Sequence, residues 1–298
     1  MADAPPTHAT QAFLKVLASG SGGNCSVLLP QGDPGGGFWL IDAGLSPRRT
    51  SRVLGDASLS LDQLLGVLLT HLDSDHWRPE WAGRLPPRAR VLVHARHLSA
   101  GRCAGLLDGR AEPFSEPFEL GRGVRVVPML VSHDELGSAA FRFEIGTAPN
   151  PALLGFATDV GRVGQELLEH LRGVDVLAIE SNYCPRLQAT SGRPWFLRAR
   201  ITSGAGHLSN QQCADAVRAI QPRTHVVLLH LSRQCNRPEL AHKEHRGAGY
   251  ALTVAGQHQP TRWIPIEGGQ AGRSRPVPTV HAPLFAGLLF DPPPVQPA

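Results

Sequence analysis

Residues 66–76 read GVLLTHLDSDH: a short apolar run, then Thr70, then His71, Asp73, Asp75 and His76, four potential ligands within six residues. The run has the length and composition of a buried strand. No single face of a helix or strand presents all four of the following side chains together, because their spacing matches neither period. A loop leaving a strand can gather them, and there they converge on a pair of metal ions. Taken alone, the same letters also fit a solvated turn with two Asp and flanking His. The rest of the chain decides between the two.

Working outward, other apolar runs end in the same way. The run VVPMLVS leads into His133, LLGFAT into Asp159, and HVVLL into His230. FWLI leads into Asp42, and VDVLAI into Glu180. One such residue would be an ordinary satisfied core polar group. Six at the ends of apolar strands indicate a site held by a rigid sheet. His133, Asp159 and His230 can then supply the ligand positions that the loop lacks.

The pattern predicts strands at 13–18, 26–29, 38–41, 66–70, 90–93, 124–131, 140–145, 153–158, 174–179 and 225–229. Helices are predicted at 46–54, 164–171, 210–220 (with Ser209 as N-cap) and 237–247. This is a β-rich first half, a helix-bearing middle and an αβ final part, without repeats or a clear linker. Residues 1–11 read as a disordered leader, 12–267 as one domain, and 268–298 as a Pro/Gly-rich tail with an apolar island at 283–290. His94 and His97 read as surface helix residues, and His242 and His245 as solvated. The turn Gly20–Asn24 lacks the Lys-Ser/Thr ending of a phosphate-binding loop and reads as a tight turn near the site.

Composition narrows the class. With 32 Gly and 26 Pro in 298 residues, the chain suits many short elements joined by turns and excludes a coiled coil or collagen. No apolar run reaches the roughly 18 residues of a membrane span. The first residues lack the basic and apolar regions of a secretory signal, so a cytoplasmic location is expected. Net charge is +4, with lysine only at Lys15 and Lys243. That balance fits coding bias toward Arg, Ala, Gly and Pro and falls short of a nucleic-acid footprint. Five scattered cysteines without a C-x-x-C pair predict reduced, structural thiols.

The order of these residues resembles the metallo-β-lactamase superfamily. His71–His76 resembles its H-x-H-x-D-H loop, Asp42-Ala43-Gly44 its D-x-G motif, and His133, Asp159 and His230 its later motifs. More narrowly, the chain is similar to the YycJ/WalJ-like branch. The strings that carry this are LASGSGGN at 17–24, VSHD at 131–134, ESN at 180–182, PW at 194–195, GHLSN at 206–210 and HLS at 230–232. Together they cover residues 13–265 in order. One position departs: Asp73 stands where the family pattern has its second loop histidine.

The resemblance implies a four-layer αββα sandwich of α/β class and two divalent ions (Zn, Mn or Fe). By similarity, His71, Asp73 and His133 hold one ion, Asp75, His76 and His230 the other, and Asp159 bridges them. A hydroxide between the ions is the implied nucleophile. An anionic, harder ligand at Asp73 shifts preference toward Mn²⁺, Fe²⁺ or Mg²⁺. His207 and Asp75 are the catalytic candidates, with His207 meeting the phosphate. Asp42, Glu180 and Asn182 orient the ligands. Trp195, Arg198, Arg200, Ser209 and Asn210 are the substrate-binding candidates, since interleaved aromatics and cations suit single-strand stacking. The implied function is metal-dependent phosphodiester hydrolysis, as a 5′-to-3′ exonuclease on DNA. The alternatives are hydrolysis of a small ester, thioester or cyclic phosphodiester at the same site, or a non-catalytic binding protein with a degraded site.

Overall fold

The computed structural model describes residues 11–31, 36–146 and 150–268. The leader, apart from Gln11, and the tail after Gly268 lie outside the described residues, as does the apolar island. Gln11 itself belongs to the fold: its N–H donates to Ile266 O at 3.1 Å and its side chain accepts from Ala152 N–H at 3.1 Å.

Two seven-stranded sheets face each other. The first contains β1 (Ala12–Ala18), β2 (Cys25–Pro30), β3 (Phe38–Ile41), β4 (Leu64–Leu68), β5 (Arg90–His94), β6 (Ala111–Phe114) and β14 (Ile264–Ile266), in the order β14-β1-β2-β3-β4-β5-β6. The second contains β7 (Phe118–Gly121), β8 (Val124–Val131), β9 (Ser138–Ile145), β10 (Ala152–Ala157), β11 (Val176–Glu180), β12 (His225–Leu229) and β13 (Ala251–Val254), in the order β13-β12-β11-β10-β9-β8-β7. Strand alternation divides the core. In β3, Trp39 and Ile41 join the layer between the sheets, whereas Phe38 and Leu40 face outward. In β10, Leu154 and Phe156 turn inward, and Leu153 and Ala157 outward.

Helices cover both outer faces. Val53 and Leu54 of α1 (Pro47–Asp56) pack on the first sheet, joined by Leu98 of α2 (Ala95–Cys103). Leu167 and Leu168 of α3 (Gln165–His170), Cys213, Val217 and Ile220 of α6 (Asn210–Ile220), and Ala241 of α7 (Pro238–Lys243) pack on the second. The result is an αββα sandwich. Local signals set the ends of these helices. Ser46 accepts from Arg49 N–H before Pro47, and Ser209 with Gln212 forms a capping box that starts α6. No helix among the described residues is long and apolar enough to cross a membrane.

Some expectations are corrected. No helix is among those expected around Trp195, but the segment forms helix α5 (Trp195–Thr202), preceded by α4 (Pro185–Ala189). The helix expected at 237–247 stops at Lys243. His94, His97 and His245 are buried rather than solvated. His94 caps α2, His97 lies on that helix's buried face, and His245 pairs with the Tyr250 hydroxyl at 2.7 Å.

Strand direction places the ionisable residues. β3 to β6 run parallel, as do β10 to β13. Asp42, His71, Asp159, Glu180 and His230 all fall at the C-terminal ends of these strands, the edge where open α/β sheets build their sites. The chain turns sharply there. Asp42, Asp159 and His230 have φ of 59°, 53° and 54°, a left-handed conformation that costs a non-glycine residue about 1–3 kcal/mol.

Gly44 seats the ligand loop against β3. Its N–H donates to Asn24 O at 2.8 Å, Asn24 N–H donates to Asp75 O at 2.7 Å, and Ala43 N–H donates to His76 O at 2.7 Å. A Cβ on Gly44 would collide with the Asp75 carbonyl, which is backbone and cannot swing away. Gly44→Ala is therefore expected to destabilise the protein by about 1–3 kcal/mol. Gly55→Ala in α1, where a Cβ meets open space, is expected to stabilise it by about 0.5–1 kcal/mol. Urea melts of the two variants check the pair. Equal effects would show that the loop is not seated by this contact.

Candidate metal centre

Each imidazole at the sheet edges is fixed through Nδ1. His71 Nδ1 pairs with Thr70 Oγ1 at 3.0 Å, and His76 Nδ1 donates to Asp42 Oδ2 at 2.7 Å. His133 Nδ1 donates to Gly206 O at 3.1 Å, and His230 Nδ1 to Glu180 Oε1 at 3.1 Å. Asp42 also accepts from Thr70 N–H at 2.8 Å, so one carboxylate braces both ends of the loop. Holding the distal nitrogen of a histidine in this way orients the other for a metal.

The Nε2 atoms gather around three carboxylates. His71 and His133 lie 3.7 and 3.9 Å from Asp73 Oδ2. His76 and His230 lie 3.7 and 3.3 Å from Asp75 Oδ2. Asp159 faces both groups, with Oδ2 at 3.0 Å from His76 Nε2 and Oδ1 at 3.8 Å from His133 Nε2. The donor atoms of His71, Asp73 and His133 lie within 4.8 Å of one another, as do those of Asp75, His76 and His230. His71 Nε2 is buried without a hydrogen-bond partner, a costly condition that coordination would relieve. Imidazole nitrogen and carboxylate oxygen are donors that suit Zn²⁺, Mn²⁺ or Fe²⁺. These buried clusters fit a dinuclear metal site.

Without metal, the charges compensate one another. Burial opposes the charged form of His133, but Asp73 and then Asp159 push its pKa up to about 9. Burial likewise opposes charge on His230, and Asp159, Asp75 and Glu180 raise it to about 10. His76 is raised well above the usual histidine range by Asp159 and Asp42, against its burial. Burial works against ionised Asp159, yet His230 and His76 hold it well below the ordinary carboxylate range. Asp73 is held far below the ordinary carboxylate range by the neighbouring His133 and His71.

Glu180 is fully buried and links two histidines. Its Oε1 accepts from His207 Nδ1 at 2.7 Å as well as from His230, and its Oε2 accepts from Val160 N–H at 2.9 Å. Burial opposes its charge, but His207 and His230 together lower its pKa. Asn182 Nδ2 donates to His230 O at 2.7 Å. The ligand clusters lie in a cavity of about 1210 Å³, whose walls include Asn182, Arg193, Arg200, His207 and Arg233. A second cavity of about 500 Å³ lies beyond Asp75, bordered by Ser21, Gly44 and Arg78.

The substrate candidates divide. Arg200 lines the main cavity, whereas Trp195 and Arg198 stand outside it on α5. Arg198 Nη1 donates to Ala189 O at 2.7 Å. Ser209 and Asn210 do not reach the cavity, and the expected substrate contact gives way to a structural part. Ser209 caps α6, and Asn210 is buried between Ser181 and Asn236, with bonds of 2.8 and 3.0 Å. Sequence reasoning missed Thr70, Ser19 and Asn24. Ser19 Oγ accepts from His230 N–H at 2.8 Å, and Asn24 Nδ2 lies 2.9 Å from His76 Nε2. The only signal for Ser19 and Asn24 was the Gly-rich turn they flank.

Residues 39–231 match the family described as a beta-lactamase superfamily domain. The chain is 29% identical over 233 residues to exodeoxyribonuclease YycJ of Bacillus anthracis, which covers 76% of this chain and 84% of that protein. It is 28% identical over 239 residues to exodeoxyribonuclease WalJ of Streptococcus pneumoniae serotype 2, with the same coverages. The metallo-beta-lactamase fold protein YhfI of Bacillus subtilis superposes with a TM-score of 0.61 at 15% identity, covering 83% of this chain and 99% of that one. The match spans more than half the chain and both sheets, and so this chain belongs to the metallo-β-lactamase superfamily.

Proposed function

We propose that the chain is a metal-dependent phosphodiesterase that acts on DNA as a 5′-to-3′ exonuclease. The observation that carries this reading is the Glu180–His207 pair, 2.7 Å long, which sets His207 in the wall of an arginine-lined cavity that also holds the ligand clusters. The similarity to proteins named exodeoxyribonucleases supports DNA as the substrate.

In this reading His71, Asp73 and His133 hold one ion, Asp75, His76 and His230 the other, and Asp159 lies between them. Two divalent ions there would polarise the phosphodiester and bring the pKa of a bound water toward neutrality. The Asp73 carboxylate replaces a softer imidazole and biases the site toward Mn²⁺ or Fe²⁺. Asp75, which borders both cavities, orients the attacking water. With Nδ1 held by Glu180, His207 has only Nε2 left to meet the phosphate. That atom meets the charge developing on phosphoryl oxygen, and the buried Glu180 carboxylate fixes the ring through Nδ1. Arg193, Arg200 and Arg233 hold the flanking phosphates.

Mn²⁺-loaded protein is expected to cleave bis-p-nitrophenyl phosphate and to shorten end-labelled DNA from its 5′ end. Loaded protein that cleaves no phosphodiester would refute the proposal, and cleavage of small diesters alone would remove DNA from it. His207→Ala is expected to keep its metal by elemental analysis and to lose about 10²–10⁴-fold in rate. Asp159→Ala is expected to lose metal. Metal loss in His207→Ala would make His207 a ligand instead.

The raised histidines set a pH dependence. At neutral pH, His133 and His230 carry protons in the metal-free protein, since their pKa values are raised to about 9 and about 10. Metal must displace those protons, so Mn²⁺ affinity rises with pH. Calorimetry in buffers of different ionisation enthalpy should record proton release. For the metal-free fold, this stabilisation is fully present below the ordinary histidine value of 6.5 and is lost as pH rises through 9 to 10. Chelated protein should therefore lose stability progressively from about pH 6.5 to about pH 10, and metal-loaded protein should not.

A further inference from the structure

Helix α5 carries an unusual surface beside the cavity. Trp195 is 74% exposed and Phe196 61% exposed, and both lie in its first turn. Their rings stand 6.4 Å apart at 85°. The other face of the helix is conventional. Leu197 and Ile201 pack against Leu187, Tyr183 and Cys235 in a small cluster separate from the main core. Leu197, Arg200 and Ile201 also border the cavity, so the aromatic pair sits at its rim. Exposed aromatics at a catalytic cavity mark a surface that something covers.

Charge selects the occupant. From Ser181 to Ala214 the chain has four arginines, at 186, 193, 198 and 200, and no acidic residue. Arg193 bonds only neutral partners, Gln234 at 2.9 Å, Ser232 at 3.2 Å and Gln188 at 3.5 Å. Among the described residues no carboxylate pairs with Arg193, Arg198, Arg200 or Arg233. Four cations without counter-charges beside two open rings fit a chain that alternates phosphates with flat aromatic bases. They do not fit an apolar protein face, which would leave the arginines uncompensated.

We propose that Trp195 and Phe196 form a nucleobase-stacking platform at the cavity mouth, which holds a DNA strand unpaired as its backbone descends past Arg200 toward the metal ligands. The inference rests on the nuclease reading above and adds the strand form to it. Bases in a duplex already cover each other's faces, and only an unpaired base offers one to a protein ring. The unpaired strand comes either from free single-stranded DNA or from the opened end of a duplex.

Trp195 provides its own probe, because Trp39, Trp77, Trp81 and Trp263 are at most 8% exposed. Chelator-treated protein, which cannot cleave, is titrated with a fluorescein-labelled 20-nucleotide single strand and with the matching blunt duplex. Anisotropy records binding, and an unlabelled titration records tryptophan emission. Binding of the single strand is expected to quench the exposed, red-shifted part of the emission. Quenching by the strand alone assigns free single-stranded DNA, and quenching by both substrates assigns an opened duplex end. Trp195→Leu is expected to remove the quenching and weaken binding about ten- to hundredfold. Trp195→Phe should lose the emission signal but keep affinity within about threefold, since a phenyl ring still stacks. DNA bound with unchanged emission, and with equal affinity in Trp195→Leu, would overturn the platform. If such protein still degraded DNA once loaded with Mn²⁺, the nuclease reading would survive. Hydrolysis of bis-p-nitrophenyl phosphate with no oligonucleotide bound or cut would overturn both. A self-association that Trp195→Leu abolishes without changing DNA affinity would assign the aromatic pair to a second copy of this chain instead.

Discussion

A carboxylate cannot be buried to 2% exposure without positive charge around it, and Asp159 meets that condition. His76, His230 and His133 approach its oxygens at 3.0, 3.3 and 3.8 Å. Much of the molecule serves this balance. Asp42 and Glu180, both fully buried, fix the imidazoles from behind, and Ser19, Thr70 and Asn24 complete the bonds. Removing any one carboxylate would leave an uncompensated buried cation, and removing a histidine an uncompensated anion. A divalent ion held by these residues would answer the same demand and would relieve the unpartnered His71 Nε2.

The two sheets are the means of holding so many charges apart from water. Parallel strands release their residues at a common edge, and the edges of both sheets meet over the cavity. Left-handed backbone at Asp42, Asp159 and His230 turns the chain sharply as it leaves each strand. Strain of this kind persists because the surrounding sandwich over-determines it. Stability from the core is thus invested in the precision of the site. α4 and α5 stand apart from this economy, with a small cluster of their own beneath them. Trp195 and Phe196 stand exposed there and take no part in the main core.

Much of this was legible in the residues. Buried strands read as short apolar runs, and the polar residue that ended each run marked the common edge. Ser209 announced α6 through the capping pattern. Other features had no local signature. His97 and His245 sit in polar stretches and are buried only because α2 and the segment after α7 fold back onto the sandwich. α5 has almost no amphipathic period, since Trp195 and Phe196 face solvent while Leu197 and Ile201 face inward, and its helix was missed. Asn210, within the GHLSN string, was a candidate for substrate binding. Its burial depends on Ser181 and Asn236, 29 and 26 residues away in the chain.

Asp159 is placed to lie between two metal positions, one in each half of the site. Crystals of Mn²⁺-loaded protein, measured at the manganese absorption edge, test it most directly. Two anomalous peaks about 3.5–4 Å apart are expected, one beside His71 and His133, the other beside His76 and His230, with an Asp159 oxygen reaching each. A single peak, or two peaks with Asp159 turned away from either, would contradict it.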